Sequence, residues 1–394
     1  MATFHKVGSS DQRMRFIAAT VTAICAIAVP DLRAQGNLIG LLETYRQGQH
    51  DEAIQKAAAV PDLGPLRLQF VQQTPVWIAA DPADAERRRA AAAAFIVELA
   101  AVRLESDWGR LSDLIEWTCA QILRAGVPNA RTGRVAVEAS RPPTPFERSW
   151  HMATTALAGR ARTRLWLLGP YARLPHQKPL KRAPQKDDPP SPQHLMHAIE
   201  RFPDDPEFQL ARVIAWTWGR DSEPMRNRAT DWRDNPSLQS RPSQFEAVTA
   251  FQPLLEIPSV AAEAHIRTGL IYVTVGDHAA ALKSFEASQR IAGTPQLKYL
   301  SHFLAGRSLE VLQRQDEAIV HYQRALDIVP NAESATVALA SLQFLRGEAE
   351  PAIALINKAF ATSATTTDPG RLVGYGSYLH WPEIKAAMRA ELAR

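Results

Sequence analysis

The sequence predicts an all-α protein whose C-terminal half is a helical-hairpin α-solenoid, preceded by a less regular N-terminal helical region. The first observation is an alanine followed four positions later by a large apolar residue, a pair that recurs at intervals of 34, 37 and 34 residues. The pairs are Ala247 with Phe251, Ala281 with Phe285, Ala318 with Tyr322, and Ala352 with Ile356. The second observation is that no segment alternates apolar and polar residues long enough to predict a sheet. A period in the mid-thirties with two helices per unit is typical of a solenoid.

Residues 299–332 show one complete unit of this pattern. Gly306 is the small residue of its first helix, and Ala318 and Ala325 are the small residues of its second. Small residues let the two helices of a hairpin approach closely, and Tyr322 fills the space beside them. Pro330 then ends the unit, because proline cannot continue a helix.

On these residues the sequence resembles the tetratricopeptide repeat family, and its N-terminus resembles that of an exported bacterial member. The match is fullest over 299–332, includes Gly269 and Tyr272 in 262–295, and is partial over 333–364. The early tryptophan of the family pattern is absent from all three units. The resemblance implies a TPR-like α-solenoid that binds a protein or peptide segment in a concave groove. It implies a non-catalytic scaffold or adaptor without a cofactor.

Composition divides the chain into five predicted regions. They are a signal peptide (1–34), an N-terminal helical region with a degenerate TPR-like hairpin near its start (35–169), a proline-rich basic linker (170–193), TPR-like repeats (194–364), and a C-terminal loop with a capping helix (365–394). A solenoid needs a polar cap over its last unit. We therefore expect the final helix to cover the apolar edge of the last hairpin.

The N-terminus predicts export to the periplasm or secretion. An uncharged apolar run at 16–29 follows Arg15 and is followed by Pro30, with Ala34 as the expected cleavage point. The run is shorter than the roughly 20 residues that a membrane span requires, so we expect no stable span in the mature chain. A buried N-terminal helix is the alternative interpretation. Cleavage would leave Cys119 as the only cysteine, and hence no internal disulfide.

Charge argues against nucleic acid as the main partner. The formal net charge is +4, too small for an electrostatic footprint of that kind. A local exception is the basic stretch 160–186, which contains Trp166 and Tyr171 and could bind nucleic acid or anionic lipid. Its prolines and the following Asp187 and Asp188 favour a solvated linker instead.

The sequence contains no complete catalytic or metal-binding motif. His194 and His197 lie one helical turn apart with Glu200 nearby, but the spacing of a zinc protease motif is absent. The GSY stretch at 376–378 lacks the second glycine of a serine nucleophile motif. Cys119 lies on an apolar helical stripe and is interpreted as a core thiol. The alternative function is an enzyme or small-ligand carrier that uses the N-terminal helical region.

The first helices of the repeats supply the candidate binding residues, because these helices line the inner groove of such arrays. By repeat position the candidates are Leu210, Ile214, Glu263, Ile266, Leu270, Val273, Phe303, Arg307, Glu310, Val337, Ser341 and Phe344. An apolar floor with a few charges suits a protein segment. The alternative is that several of these residues pack against the helices of 83–169. The sequence leaves the partner and the oligomeric state open.

Overall fold

The computed structural model describes residues 38–61, 63–103, 108–123, 127–128, 135–136, 142–168, 193–221, 243–361, 368–371 and 381–394. The predicted fold class is confirmed, because these ranges contain sixteen α-helices and a single antiparallel pair of two-residue strands, Val127–Pro128 and Val135–Ala136. The chain forms two compact units, residues 1–81 and 82–394. The predicted signal peptide, the basic stretch beyond residue 168 and the GSY stretch lie outside the described residues.

The first unit contains three described helices: α1 (Leu38–Arg46), α2 (His50–Ala58) and α3 (Gly64–Ala79). The residues that α1 and α2 bury include Tyr45, Ala53 and Ala57, all fully enclosed. The indole N–H of Trp77 in α3 donates to a carboxylate oxygen of Glu43 in α1 at 3.2 Å. The stretch that resembles a degenerate hairpin therefore folds as two short helices that pack on each other, and the first of them also packs on the third.

The second unit begins with helices of uneven length and ends with regular hairpins. The early helices are α4 (Ala85–Val102), α5 (Trp108–Thr118, continued as a π-helix over Cys119–Leu123), α6 (Pro145–Leu168), α7 (Gln193–Arg201), α8 (Pro206–Asp221) and α9 (Gln244–Leu255). The later ones are α10 (Ala261–Thr274), α11 (His278–Ile291), α12 (Pro295–Val311), α13 (Gln315–Ile328), α14 (Glu333–Leu345), α15 (Ala349–Ala361) and α16 (Trp381–Leu392). From α6 to α15, each helix packs on the next described helix along the chain.

Helix α4 forms the centre of the early part of the second unit. Its residues 91–100 are buried without a break, and five of these ten residues are alanines. A helix segment that is buried on all sides is enclosed by its neighbours, which here include α5, α6 and α16. Trp150 of α6 is 1% exposed, and its indole N–H donates to the carbonyl oxygen of Ala93 at 2.8 Å. Small side chains on α4 thus let bulky side chains of the surrounding helices reach its backbone.

The close helix approach expected at Gly306 is present within the α12–α13 hairpin. A Cβ atom at Gly306 would lie 2.6 Å from the ring of Tyr322, which is fully buried. The same relation holds one unit earlier, where a Cβ atom at Gly269 would lie 2.5 Å from the ring of Phe285. These distances are shorter than carbon atoms can approach without displacement. The repeated small-and-large pairs therefore mark the contact between the two helices of a hairpin.

The short segment after α15 returns to the start of α14. The carboxylate of Asp368 accepts hydrogen bonds from the Tyr299 hydroxyl at 3.1 Å and from the backbone N–H of Ser334 at 2.6 Å. The N–H of Ser334 lies in the first turn of α14, where a negative charge is favourable. Asp368 thereby joins α12 and α14 to residues 368–371.

Helix α16 does not occupy the position expected of a cap. It packs on α6 and α4, where Met388 is fully buried and Arg389 pairs with the buried carboxylate of Glu98. Phe344 and Ile353 of the last hairpin remain 63% and 56% exposed. The expectation of a capping helix is therefore corrected. The physical reason is that α16 satisfies a buried charge on α4, a contact that the periodicity of α16 does not contain.

Candidate interaction surface

Five of the predicted groove residues lie in the core rather than on a surface. They are Leu210, Ile214, Ile266, Leu270 and Phe303, each 7% exposed or less. Phe303 shows why, since its ring lies 5.9 Å from that of Tyr299 and 6.0 Å from that of Tyr322. Both rings belong to the hairpin that contains Phe303. In this arrangement the five side chains are not accessible to a partner, and they stabilise the packing of the helices.

Three further candidates are partly exposed. The carboxylate of Glu263 accepts from the guanidinium of Arg267, which is fully buried, at 3.1 Å. Glu310 accepts a hydrogen bond from the hydroxyl of Tyr322. Burial, followed by this carboxylate, raises the pKa of Tyr322 above its ordinary value. Glu263 and Glu310 are therefore held by internal partners, and Val273 is packed at the edge of the main core.

The remaining four candidates are exposed, and three of them lie on the last hairpin. They are Arg307, Val337, Ser341 and Phe344. The last three line a groove of about 330 Å³ between α14 and α15. The other lining residues are Ala340, Ala352, Ile353, Ile356 and Asn357. We call the surface formed by Val337, Ser341, Phe344, Glu350, Ile353 and Ile356 the end surface.

The end surface is apolar at its centre and charged at its edge. Val337 and Phe344 are 47% and 63% exposed, and Ile353 is 56% exposed. Glu350 is an exposed carboxylate in the first turn of α15. Contiguous exposed apolar side chains of this kind are typical of interaction sites. Sequence reasoning missed Ile353, Ile356 and Asn357, because it considered only the first helix of each hairpin.

The predicted histidine pair forms a polar link between two helices. His194 Nδ1 lies 2.8 Å from Glu116 Oε1, and His197 Nδ1 lies 2.9 Å from Glu116 Oε2. The hydroxyl of Ser112 lies 3.0 Å from His194 Nε2. Both imidazoles of α7 thus face one carboxylate of α5. In the described ranges no group of three or more His, Cys, Asp or Glu side chains is arranged to hold a metal ion. Cys119 is buried, 2% exposed.

This link predicts a specific acid sensitivity. Burial alone would raise the pKa of Glu116, but the hydrogen bonds and charges of His194 and His197 lower it to about 2. Because the folded-state pKa lies below the unfolded value, the stabilisation is complete above pH 4.5 and is lost as the pH falls toward 2. The full shift corresponds to about 3 kcal/mol. We expect Glu116→Gln to lower stability at pH 7 and to flatten its pH dependence between 4.5 and 2.

Urea unfolding followed by circular dichroism at a series of pH values measures this dependence. Asp204→Asn, which removes an exposed carboxylate in the turn after α7, is the matched control and should leave the profile unchanged. Parallel profiles for the wild type and Glu116→Gln would contradict the assignment.

A second cavity lies among α4, α6 and α16, within the region assigned to the alternative function. Its volume is about 260 Å³, and its charged lining residues are Glu86, Arg87, Arg89, Glu147, Glu391 and Arg394. Glu147 is engaged by the guanidinium of Arg201 at 2.8 Å. The lining mixes charges of both signs and does not favour one class of ligand.

No protein-family profile matches the sequence, and no curated protein sequence matches it. A similar solved structure is a crystal structure of yeast Tom70, with 11% sequence identity and a TM-score of 0.38. The similarity covers 91% of this chain and 65% of the Tom70 chain, so this chain spans just under two thirds of that protein. The TM-score is below 0.5, so the fold class rests on the helices and their packing.

Within the described residues, no helix combines the length and apolar character needed to cross a membrane.

Proposed function

We propose that this protein is a non-catalytic scaffold of the bacterial envelope that binds another protein through its array of helical hairpins. The observation that carries the proposal is the end surface, where apolar side chains lie exposed on a rigid hairpin. A preorganised apolar groove loses little conformational freedom when a partner binds. Arg307, Val337, Ser341 and Phe344 are the contact residues in this proposal, and the buried candidates support the array from within.

The proposed location is the periplasm or the cell exterior. Its support is the sequence pattern of residues 14–35, in which a basic residue precedes an apolar run and a small-residue cleavage point. Binding of nucleic acid or anionic lipid by the basic stretch is the alternative. It would show binding that weakens steeply with salt.

Affinity capture tests the proposal. The bait is the mature chain from Gln35, incubated with envelope extract. We expect a partner that the wild type retains and that the double variant Val337→Glu, Phe344→Glu loses, because two buried charges would oppose apolar contact. Val320→Glu is the matched control, since Val320 is an exposed apolar residue on α13.

All three baits must show the same helicity and melting temperature before capture. A partner retained equally by the double variant would place binding elsewhere on the chain. The absence of any captured protein would overturn the scaffold proposal.

A further inference from the structure

The preceding repeat unit shows which element covers a hairpin surface equivalent to the end surface. In the preceding unit the corresponding surface, on α12 and α13, is covered by helix α14. Ala335, Leu339 and Leu342 of α14 belong to the same buried cluster as Ala318, Tyr322 and Ala325 of α13. The partner of a hairpin surface in this protein is thus one apolar face of a single helix, with its contact residues at i, i+4 and i+7.

Among the described residues, no helix covers the corresponding surface of the α14–α15 hairpin. A shift of 34 residues relates the two hairpins, so that Gly306 corresponds to Ala340 and Ala318 to Ala352. By the same shift Phe303, which is 7% exposed, corresponds to Val337, which is 47% exposed. Likewise Ile319 packs against the core cluster, whereas its equivalent Ile353 is 56% exposed. This difference in exposure goes together with the lack, in the described part of the chain, of a helix packed on α15 in the way that α14 is packed on α13.

An acidic residue recurs at equivalent positions of the two hairpins. Arg346, which directly follows α14, donates to Asp316 in the first turn of α13 at 2.7 Å. Asp316 shifted by 34 residues is Glu350, an exposed carboxylate in the first turn of α15. A helix could bind the end surface in the orientation in which α14 packs on α13. The residue equivalent to Arg346 would then be a basic residue next to Glu350. Helix α16 does not supply this contact, because it packs on α4 and α6.

We propose that the end surface binds an amphipathic helix of a partner protein that repeats the contact pattern of α14. That pattern is a small apolar residue, leucines four and seven positions later, and an arginine or lysine eleven positions later that faces Glu350. The inference rests on the proposed scaffold function and names the class of partner segment. It differs from an extended peptide in the groove, because the side-chain spacing that the surface accepts is helical.

A synthetic peptide with the sequence of residues 331–346 is the probe. It carries a hydrocarbon staple between positions 337 and 341, which are exposed in α14, so that helix formation does not limit binding. We expect saturable binding to the mature protein by fluorescence anisotropy, with a loss of at least tenfold for the Leu339→Glu peptide. The protein double variant Val337→Glu, Phe344→Glu should show a comparable loss. Val320→Glu should bind as the wild type does.

A charge exchange tests the register. We expect the protein variant Glu350→Arg to bind the wild-type peptide about fivefold more weakly, as the loss of an exposed ion pair allows. The Arg346→Glu peptide should bind the wild-type protein with a similarly reduced affinity. Its affinity should recover when the protein carries Glu350→Arg. Asp327→Arg, which makes the same charge change on α13, is the control. Failure of the exchange to restore binding would overturn the assigned register and with it the proposal.

The outcomes separate this inference from the proposed function. If the peptide does not bind but a captured partner depends on Val337 and Phe344, the helix proposal is wrong and the scaffold proposal is retained. Peptide binding with no captured partner supports the end surface as a helix site and overturns the scaffold. If the wild type is a dimer in sedimentation experiments and the double variant is a monomer, a second copy of this chain occupies the end surface. That result would contradict the proposal of a helix from a partner protein.

Discussion

Replacing Arg389 by alanine is expected to lower the free energy of unfolding by about 3 to 5 kcal/mol, the usual cost of leaving one charge of a buried pair without its partner. The side chain of Glu98 is 3% exposed, and that of Arg389 is 19% exposed. The guanidinium of Arg389 meets both carboxylate oxygens, at 2.8 and 2.5 Å. In the described residues the main helix contacts of α16 are with α4 and α6, so we expect α16 to detach first.

Urea unfolding measures the loss, and hydrogen exchange of α16 locates it. Lys385→Ala on the same helix is the control and should stay within about 0.5 kcal/mol of the wild type. The double variant Arg389→Met, Glu98→Leu should recover much of the loss, since an apolar pair avoids the desolvation of a lone charge. A loss below about 1 kcal/mol for Arg389→Ala would show that Glu98 is solvated or neutral in the folded protein.

Replacing Gly306 by valine is expected to cost about 3 kcal/mol, at the upper end of what overpacking of a core costs. The added Cβ would lie 2.6 Å from the Tyr322 ring, which is fully buried and whose hydroxyl is bound to Glu310. The ring therefore has little freedom to move. The two helices of the hairpin would have to separate, and the stacking of α14 would be disturbed with them.

Gly293→Val is the matched control, because a Cβ atom at Gly293 meets nothing within 4 Å. We expect its unfolding free energy to lie within about 0.5 kcal/mol of the wild type. Adding Tyr322→Leu to Gly306→Val should recover part of the loss, because the smaller side chain leaves room at the contact. Equal stabilities of Gly306→Val and Gly293→Val in urea unfolding would contradict the assigned close approach.

The candidate site was only partly accessible to sequence reasoning. The repeat pattern located the first helices, and Val337, Ser341 and Phe344 are exposed on the last of them. The same pattern also selected Ile266 and Phe303, which are buried. Equivalent positions in successive repeats have the same spacing but different neighbours. Exposure at such a position depends on whether another hairpin follows, and the periodicity of one helix does not contain that information.

The sequence by itself determined the all-α class, the hairpin period and the close contacts within each hairpin. These follow from short separations along the chain, where Ala318 and Tyr322 must share a helix face whatever surrounds them. Only the tertiary structure decided where α16 packs, that Glu116 joins His194 to His197, and which hairpin surface is left open. Each of these depends on residues far apart in sequence, such as Glu98 and Arg389, whose pairing is set by burial of charge rather than by local pattern.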